Sequence, residues 1–250
     1  METDYITFTN GEWEGRALVS FASAIEEALV HPAVCTPMHS DGRGHLLQFE
    51  YGDGAGLIRP YLRGGVVRYF SKDRYYGENR PLAELEVHCR AQAMGLAVPL
   101  VLGVVWRRTG AWYSGSIATE DLACPNLHQW LPGKSEADEV AMMKACGALI
   151  RAMHDGGIWH ADLQIKNVLV HEGVPKLIDF DGAQWQEVPW SKGQCMRNLL
   201  RFRRSLEKNG HDDVLFDALC VGYGAEAGVV MRGVYGLKGR ISDWMQGRKK

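Results

Sequence analysis

Two short apolar stretches near the middle of the chain each contain a few closely spaced polar residues. The first is WHADLQIKNVLV (residues 159–170) and the second is LIDFDGA (residues 177–183). They place Asp162, Asn167 and Asp179 among residues that favour burial. A buried carboxylate is costly unless a partner or a ligand compensates for the lost hydration. These three residues therefore either satisfy one another or bind a cation together with a charged ligand.

The spacing within the two stretches is typical of the catalytic loop and metal loop of protein kinases. The first stretch matches the pattern H-x-D-L-x-x-x-N, and the second carries an Asp before Phe. In phosphoryl transfer, Asp162 would accept the proton of the attacking hydroxyl. Asn167 and Asp179 would supply oxygen ligands to Mg²⁺, and Lys166 would contact the transferring phosphoryl group. The alternative, a pair of satisfied acids in a hairpin, does not explain why all three residues occur together.

Two histidines near this motif favour structural interpretations. We expect His160 to orient the loop by bonding to the backbone, and His154 to lie in the core on the preceding helix.

The composition limits the class of protein. The chain has 250 residues, of which 46% are hydrophobic and 23% charged, as in soluble globular proteins. A net charge of −2, with no nucleic-acid-binding motif, argues against a nucleic-acid partner. The six cysteines form no C-x-x-C pair, which argues against a zinc site and fits a reducing cytosol. No apolar run is long enough to span a bilayer, and the N-terminus METDYITFTNGEWEG does not resemble a signal peptide.

The order of predicted elements indicates an α+β fold. Glycine-rich turns separate short apolar runs in the first third, which predicts hairpins. RPLAELEVHCRAQAMG predicts the one helix of this half, between Pro81 and Gly95, followed by strands at residues 98–106 and 113–119. The second half is mostly helical, beginning at the cap Ser135. We expect residues 1–250 to form a single kinase-like, bilobal domain, with an N-lobe over about residues 1–120 and a C-lobe over about 121–250.

The N-terminal half is expected to hold the nucleotide. Gly42 and Gly44 lie in a turn that either brings backbone N–H groups near phosphates or is a plain hairpin turn. The strand GLIRPY offers Arg59 as the cation for the phosphates, and the next helix offers Glu84 and Glu86 on different faces. We predict that Glu84 pairs with Arg59; the alternative is that both glutamates face solvent.

The chain resembles the lipopolysaccharide kinases of the Kdo kinase type, where Kdo is 3-deoxy-D-manno-octulosonic acid. The resemblance covers about residues 42–209. It is carried by YLRGGVVRYFSKDRYYG, RPLAELEVHCRAQAMGLAVPLVLG, WYSGSIATEDL, HADLQIKNVLV, LIDFDGA and NLLRFRRSLEK. It implies a kinase-like fold that transfers the γ-phosphoryl group of ATP, with Mg²⁺, to the 4-OH of Kdo on a lipid A precursor. It also implies a protein on the cytoplasmic face of the inner membrane of a Gram-negative bacterium.

The resemblance also implies roles for single residues. Asp162 corresponds to the base, Asn167 and Asp179 to the metal ligands, and residues 119–122, including Glu120 and Leu122, to the stretch that pairs with adenine. The chain departs from the expected pattern in three places. Arg59 replaces a lysine, Gln164 replaces an asparagine, and Asp181-Gly182-Ala183 lacks the arginine expected after D-F-D.

Two further features favour a lipid-linked sugar acceptor over a protein. No long activation segment follows the metal loop, so a protein substrate would have little to dock on, and no obligate protein partner is predicted. Basic residues cluster in three places and suit an anionic acceptor and an anionic membrane surface, although solvated faces and pairing with Asp or Glu are alternatives. They are Arg63, Arg68, Lys72, Arg74 and Arg80; Arg197, Arg201, Arg203 and Arg204; and Lys238, Arg240, Arg248, Lys249 and Lys250 around Trp244.

Other functions use the same motif residues. A heptose kinase or an aminoglycoside-type phosphotransferase would share the base and the metal ligands. A regulatory pseudokinase would be expected to lack one of them, whereas Asp162, Asn167 and Asp179 are all present.

Overall fold

The computed structural model describes residues 4–38, 46–61 and 75–224. They fall into two compact units. The N-terminal unit contains the described part of Met1–Ala123 together with Ile178–Gln184. The C-terminal unit contains Cys124–Leu177 and the chain that follows from Trp185. The segment Ile178–Gln184 groups with the N-terminal unit because Asp179 and Asp181 pair with arginines there.

The N-terminal unit is built on one antiparallel sheet. The strand order is β1-β2-β7-β8-β5-β4-β3, and β6 pairs with β8. Strands β5 and β8 carry residues predicted to bind the nucleotide, and Arg59 of β5 lies opposite Ile117 of β8. The strands are β1 (Tyr5–Asn10), β2 (Trp13–Leu18), β3 (Thr36–Met38), β4 (Leu46–Tyr51), β5 (Gly54–Pro60), β6 (Tyr75–Tyr76), β7 (Val101–Thr109) and β8 (Trp112–Glu120).

Two helices cover the two faces of this sheet. Successive residues of a strand point to opposite faces. Val104 of β7 accordingly packs in one core with Leu85 of α2 (Arg80–Ala93), and Val105 packs in the other core with Ile25 of α1 (Ala22–Val30). The sequence predicted one helix in this half, so α1 is an addition to the predicted elements. The first six residues of β7 are thus buried, whichever face of the sheet they point to.

Several local predictions match the structure. The β4–β5 hairpin turns at Gly52, which has a φ of 53°. Helix α2 carries Pro81 in its first turn, is capped by the Asn79 side chain, and ends before Gly95, whose φ is 72°. Both values lie in the left-handed region that glycine adopts without a steric penalty.

The C-terminal unit is mostly helical. Its helices are α3 (Leu127–Trp130), α4 (Glu136–Asp155), α5 (Lys192–Lys208) and α6 (Asp213–Tyr223). Its strands are β9 (Ile158–Trp159), β10 (Val168–His171) and β11 (Val174–Leu177), and β12 (Gln184–Trp185) lies at the boundary between the units. The predicted cap Ser135 starts α4, and Ser191 starts α5 with a capping box.

Helices α4 and α6 approach each other closely at two glycines. A Cβ atom on Gly147 would lie 2.1 Å from the carbonyl oxygen of Leu219. A Cβ atom on Gly222 would lie 1.9 Å from the carbonyl oxygen of Lys144. Each helix therefore uses a glycine where the other helix presents its backbone.

None of the helices within residues 4–38, 46–61 and 75–224 has the length and the apolar content needed to cross a membrane.

Candidate active site

The segment between β9 and β10 forms the candidate catalytic loop. Leu163 and Ile165 are fully buried and anchor the loop in the C-terminal unit, whereas the Asp162 side chain is 49% exposed. Arg201 Nη1 donates to Asp162 Oδ1 at 2.9 Å, and Gln164 Nε2 donates to Asp162 Oδ2 at 2.7 Å. Two side chains therefore fix the orientation of the carboxylate, which stays accessible to a ligand.

A buried network supports the loop from behind. His160 is fully buried, and its Nδ1 accepts the backbone N–H of Asp162 at 3.1 Å, as expected for an orienting histidine. Asn198 of α5 bonds the backbone of His160, donating to its carbonyl oxygen at 2.8 Å and accepting from its N–H at 3.2 Å. His154 is buried, as predicted, and bonds Asn198 and Tyr223. Burial lowers the pKa of His154, which favours the neutral form of its imidazole.

Asn167 stands at the start of the β10–β11 hairpin. Its side chain is buried, and Nδ2 donates to the Asp162 carbonyl oxygen at 2.9 Å. This bond fixes the amide, and its oxygen has no hydrogen-bond partner among the described residues, so it could bind a cation. Val168 pairs with Leu177 across the hairpin, and the chain then continues into the metal-loop stretch. Lys166, one residue before Asn167, is exposed.

Asp179 occupies a left-handed backbone conformation in the N-terminal unit, with a φ of 65°. Aspartate tolerates this region better than most residues. Arg59 Nη2 forms an ion pair with Asp179 Oδ1 at 3.2 Å. Within the described residues, this buried oxygen has no aligned hydrogen-bond donor. A carboxylate oxygen that is desolvated and lacks a donor suits a hard cation such as Mg²⁺.

The predicted pair between Arg59 and Glu84 is present. Arg59 Nη2 lies 2.7 Å from both carboxylate oxygens of Glu84, which is 4% exposed, whereas Glu86 is exposed. The Tyr61 hydroxyl also donates to Glu84. Burial raises the pKa of Glu84 against the opposing effect of Arg59. Burial works against the charge of Arg59, but Glu84 and Asp179 outweigh it and raise the arginine pKa.

The metal loop is also attached to the first residue of α2. Arg80 Nε donates to Asp181 Oδ1 at 3.0 Å, and its Nη2 bonds the second oxygen. Because α2 also carries Glu84, this helix contacts the loop at Asp181 and supports Arg59 at the same time. Arg80 was predicted only as one of a basic cluster.

The stretch predicted to pair with adenine has mixed roles. Glu120 has a structural role, because it bonds the backbone of Leu100 twice. Its N–H donates to the Leu100 carbonyl oxygen at 2.9 Å, and its carboxylate accepts from the Leu100 N–H at 2.8 Å. The backbone N–H of Leu122 has no hydrogen-bond partner among the described residues, so it is available to a ligand. The glycines Gly42 and Gly44 lie outside the described residues.

Comparison with known proteins identifies the family. The model of the lipopolysaccharide kinase (Kdo/WaaP) family matches residues 37–223. The chain belongs to this family. It is 32% identical to the 3-deoxy-D-manno-octulosonic acid kinase of Xanthomonas euvesicatoria over 184 residues, which are 69% of this chain and 70% of that protein. It is 30% identical to the enzyme of the same name from Xylella fastidiosa strain M23 over 202 residues, 75% and 78% of the two chains.

The solved structure of WaaP in complex with acyl carrier protein is similar in fold. The TM-score is 0.58 with 17% sequence identity, and the match covers 84% of this chain and 87% of that chain. The predicted α+β, kinase-like fold is therefore confirmed. Membership of the lipopolysaccharide kinase family also makes the chain an ATP-dependent kinase. The catalytic, nucleotide and metal roles of the individual residues stay predictions.

Several residues of this lipopolysaccharide kinase escaped the sequence patterns. Tyr61 bonds Glu84, and Gln164 bonds Asp162. Asn198 bonds the backbone of His160 in the catalytic loop. In the sequence, Gln164 stands out only because an asparagine is expected at that position. Two features of the sequence could have pointed to them. Gln164 is a polar residue two positions after the base, and Asn198 is a polar residue on the apolar face of α5.

The basic residues of α5 have different partners. Arg203 bonds Asp213 and Glu207 and packs over the Phe216 ring, so its role is structural. Arg201 bonds the predicted base, Asp162. The basic residues at positions 63–74 and 238–250 lie outside the described parts of the chain.

Proposed function

We propose that this kinase phosphorylates Kdo on a lipid A precursor, at its 4-OH, during assembly of the lipopolysaccharide inner core. The relatives named 3-deoxy-D-manno-octulosonic acid kinase support this acceptor. The observation that carries the proposal is the state of Asp162. Its carboxylate is hydrogen-bonded through both oxygens and still half exposed, so that a sugar hydroxyl can approach it.

The chemistry follows from the placement of Asp162. One carboxylate oxygen accepts the proton of the acceptor hydroxyl as the hydroxyl oxygen bonds to the γ-phosphorus. The bond from the γ-phosphorus to the bridging β,γ-oxygen breaks, and ADP leaves with the electron pair. Gln164 and Arg201 hold the carboxylate in one orientation, which lowers the cost of aligning it with the acceptor. Lys166, exposed four residues after the base, supplies positive charge for the transferring group.

The nucleotide and its cation are assigned to the residues that the sequence predicted for them. Arg59, held by Glu84, would bind phosphate oxygens, and the Leu122 N–H would bind adenine. Asn167 and Asp179 would hold Mg²⁺, because each presents an oxygen without a hydrogen-bond donor among the described residues. When bound, Mg²⁺ neutralises the charge of the phosphates and so favours attack by the hydroxyl oxygen.

We further propose peripheral attachment to the cytoplasmic face of the inner membrane. The lipid-linked acceptor and the basic, Trp244-containing C-terminal tail support this location. Sedimentation with anionic vesicles, compared with neutral vesicles and with a variant carrying Gln at Arg248, Lys249 and Lys250, tests it. Equal sedimentation with both vesicle types would contradict the proposal.

Mass spectrometry tests the proposed reaction directly. Kdo-linked lipid A precursor is incubated with protein, ATP and Mg²⁺, and the products are weighed. We expect the gain of one phosphate with the unaltered protein and with Asp155→Asn, an exposed acid paired with Arg151. We expect none with Asp162→Asn. Transfer to heptose or aminoglycoside acceptors, but not to the Kdo acceptor, would overturn the acceptor assignment.

A further inference from the structure

A cleft of about 430 Å³ opens beside Asp162 within the C-terminal unit. Its charged lining consists of one acid and four cations. The acid is Asp162, and the cations are Lys166, Arg201, Arg204 and Lys208. The excess of positive charge lies next to the group that must contact the acceptor.

The cations of α5 share one side of the helix. Arg201, Arg204 and Lys208 are spaced by three and four residues, so they lie along one helix face, which spans about 10 Å at 1.5 Å per residue. A cleft lined mainly by charges of one sign concentrates the field and attracts ligands of the opposite sign. The cleft therefore favours an anion close to the base.

Most of these cations have no acidic partner within the protein. Among the described residues, Lys166, Arg204 and Lys208 form no ion pair with a carboxylate. Arg203, on another side of the same helix, differs because Glu207 and Asp213 neutralise it. Charge that is left unpaired around a cleft is available for a ligand.

Arg201 is the cation that reaches the base itself. Its Nη1 donates to Asp162 Oδ1 at 2.9 Å, and 46% of its side chain is exposed. A guanidinium has five N–H donors in a planar fork, and this is the one hydrogen bond of Arg201 with a described residue. The remaining donors match the two oxygens of a carboxylate, which a guanidinium binds in a bidentate manner.

We propose that this cleft is an acid-binding subsite in which Arg201 binds the carboxylate of the acceptor sugar and thereby selects anionic acceptors. This inference rests on the proposed function, because a hydroxyl within reach of Asp162 places the rest of a sugar acid near Arg201. One guanidinium then contacts both the base and the acceptor. A neutral sugar of the same shape would lose this anchor and leave the donors of Arg201 unpaired.

A cycle of two acceptors and two proteins tests the role of Arg201. The acceptors are the Kdo-linked lipid A precursor and its methyl ester at the Kdo carboxylate. We expect the unaltered enzyme to prefer the acid by about 10- to 100-fold in kcat/KM, as for a charged hydrogen bond. In Arg201→Gln the preference should fall to about threefold or less, since the residual amide donors are neutral.

The cycle separates carboxylate recognition from support of the base. Arg201→Gln also removes the bond to Asp162, but that loss affects both acceptors equally and cancels in their ratio. Lys144→Gln, on α4 and outside the cleft lining, makes the same change in net charge and should keep the preference of the unaltered enzyme. Thermal unfolding of each variant confirms that the compared proteins are folded.

Two outcomes would overturn the inference. If Arg201→Gln kept the full preference for the acid, another residue would bind the carboxylate. If it slowed both acceptors by the same factor with the preference unchanged, Arg201 would only orient Asp162.

Binding of free Kdo without nucleotide distinguishes this inference from the proposed function. Titration calorimetry should show weaker binding of free Kdo to Arg201→Gln and unchanged binding to Lys144→Gln. Arg201-dependent binding without any phosphoryl transfer would overturn the proposed function and support the subsite. Transfer to the Kdo acceptor with Arg201-independent binding and preference would support the function and overturn the subsite.

Discussion

The side chain of Asn198 bonds both polar backbone groups of His160. Nδ2 donates to the carbonyl oxygen at 2.8 Å, and Oδ1 accepts from the N–H at 3.2 Å. Oδ1 also lies 3.0 Å from His154 Nε2. Because His160 accepts the N–H of Asp162, a residue of α5 holds the segment that carries the predicted base.

Replacement of Asn198 should affect turnover more than nucleotide binding. Asn198→Asp keeps the accepting oxygens but loses the donor to the His160 carbonyl and places negative charge against it. We expect kcat to fall by about tenfold or more, because small displacements of a base are costly, with the KM for ATP unchanged. Steady-state kinetics measure both quantities. A lower melting temperature with normal kcat would mean that Asn198 only stabilises the fold.

Asp179 should carry the Mg²⁺ dependence of nucleotide binding. Asp179→Asn removes the charge but keeps the shape, so ATP binding with and without Mg²⁺ should become nearly equal. Titration calorimetry with ATP, with Mg²⁺ either present or chelated, measures the difference. The matched control is Asp181→Asn, since Asp181 is paired with Arg80. An undiminished Mg²⁺ effect in Asp179→Asn would exclude Asp179 as a principal ligand.

Arg59→Ala should weaken the binding of ATP. The substitution removes the proposed phosphate contact and leaves the buried Glu84 with only Tyr61. We expect the KM for ATP to rise by about tenfold or more, as for the loss of a charged hydrogen bond, with a smaller effect on the acceptor. Arg108→Ala, an exposed arginine of β7 in the same unit, should have no such effect. An unchanged KM for ATP in Arg59→Ala would rule out the nucleotide role.

Gly222→Ala should destabilise the C-terminal unit. The added Cβ would lie 1.9 Å from the Lys144 carbonyl oxygen, so α4 and α6 must separate. We expect a loss of about 1–3 kcal/mol in the free energy of unfolding, as for other overpacked sites. Gly193→Ala in α5 meets no atom within 4 Å and should be neutral or slightly stabilising. Urea titration of both variants gives the comparison, and equal stability of the two would contradict the close contact.

Acid should destabilise the fold partly through His88. Burial lowers the pKa of His88 from 6.5 to about 4, and its Nε2 bonds the Pro99 carbonyl oxygen at 2.8 Å. A depressed pKa means that the neutral form stabilises the fold above pH 6.5 and that this contribution is lost as the pH falls towards 4. The loss approaches about 1.4 kcal/mol per pH unit within this window.

The His88→Gln variant tests the assignment. Glutamine keeps an N–H donor for Pro99 but does not titrate, so its stability should decline less steeply between pH 6.5 and 4. Denaturant titration at several pH values measures the two slopes. Parallel slopes in the two proteins would show that other groups, such as the buried His154, account for the acid sensitivity.

The sequence by itself determined the features that depend on short-range pattern. The spacing of Asp162 and Asn167, the cap at Ser135 and the turn at Gly52 all arise from neighbouring residues, whose geometry the backbone fixes locally. The sequence also favoured Glu84 over Glu86 as the partner of Arg59, because helical periodicity places the two glutamates on different faces of α2. Only one face of α2 is buried, and Glu84 lies on it, whereas Glu86 is exposed.

Only the tertiary structure decided which distant residues meet these groups. Asn198, Arg201 and Tyr61 are separated from their partners by 38, 39 and 23 residues, and their local sequence does not say which residues they contact. Their contacts exist because α5 lies against the catalytic loop and because Tyr61, which follows β5, packs in one core with Leu85 of α2. Such contacts depend on how whole elements bury their apolar faces, and this is a property of the folded chain that no local pattern carries.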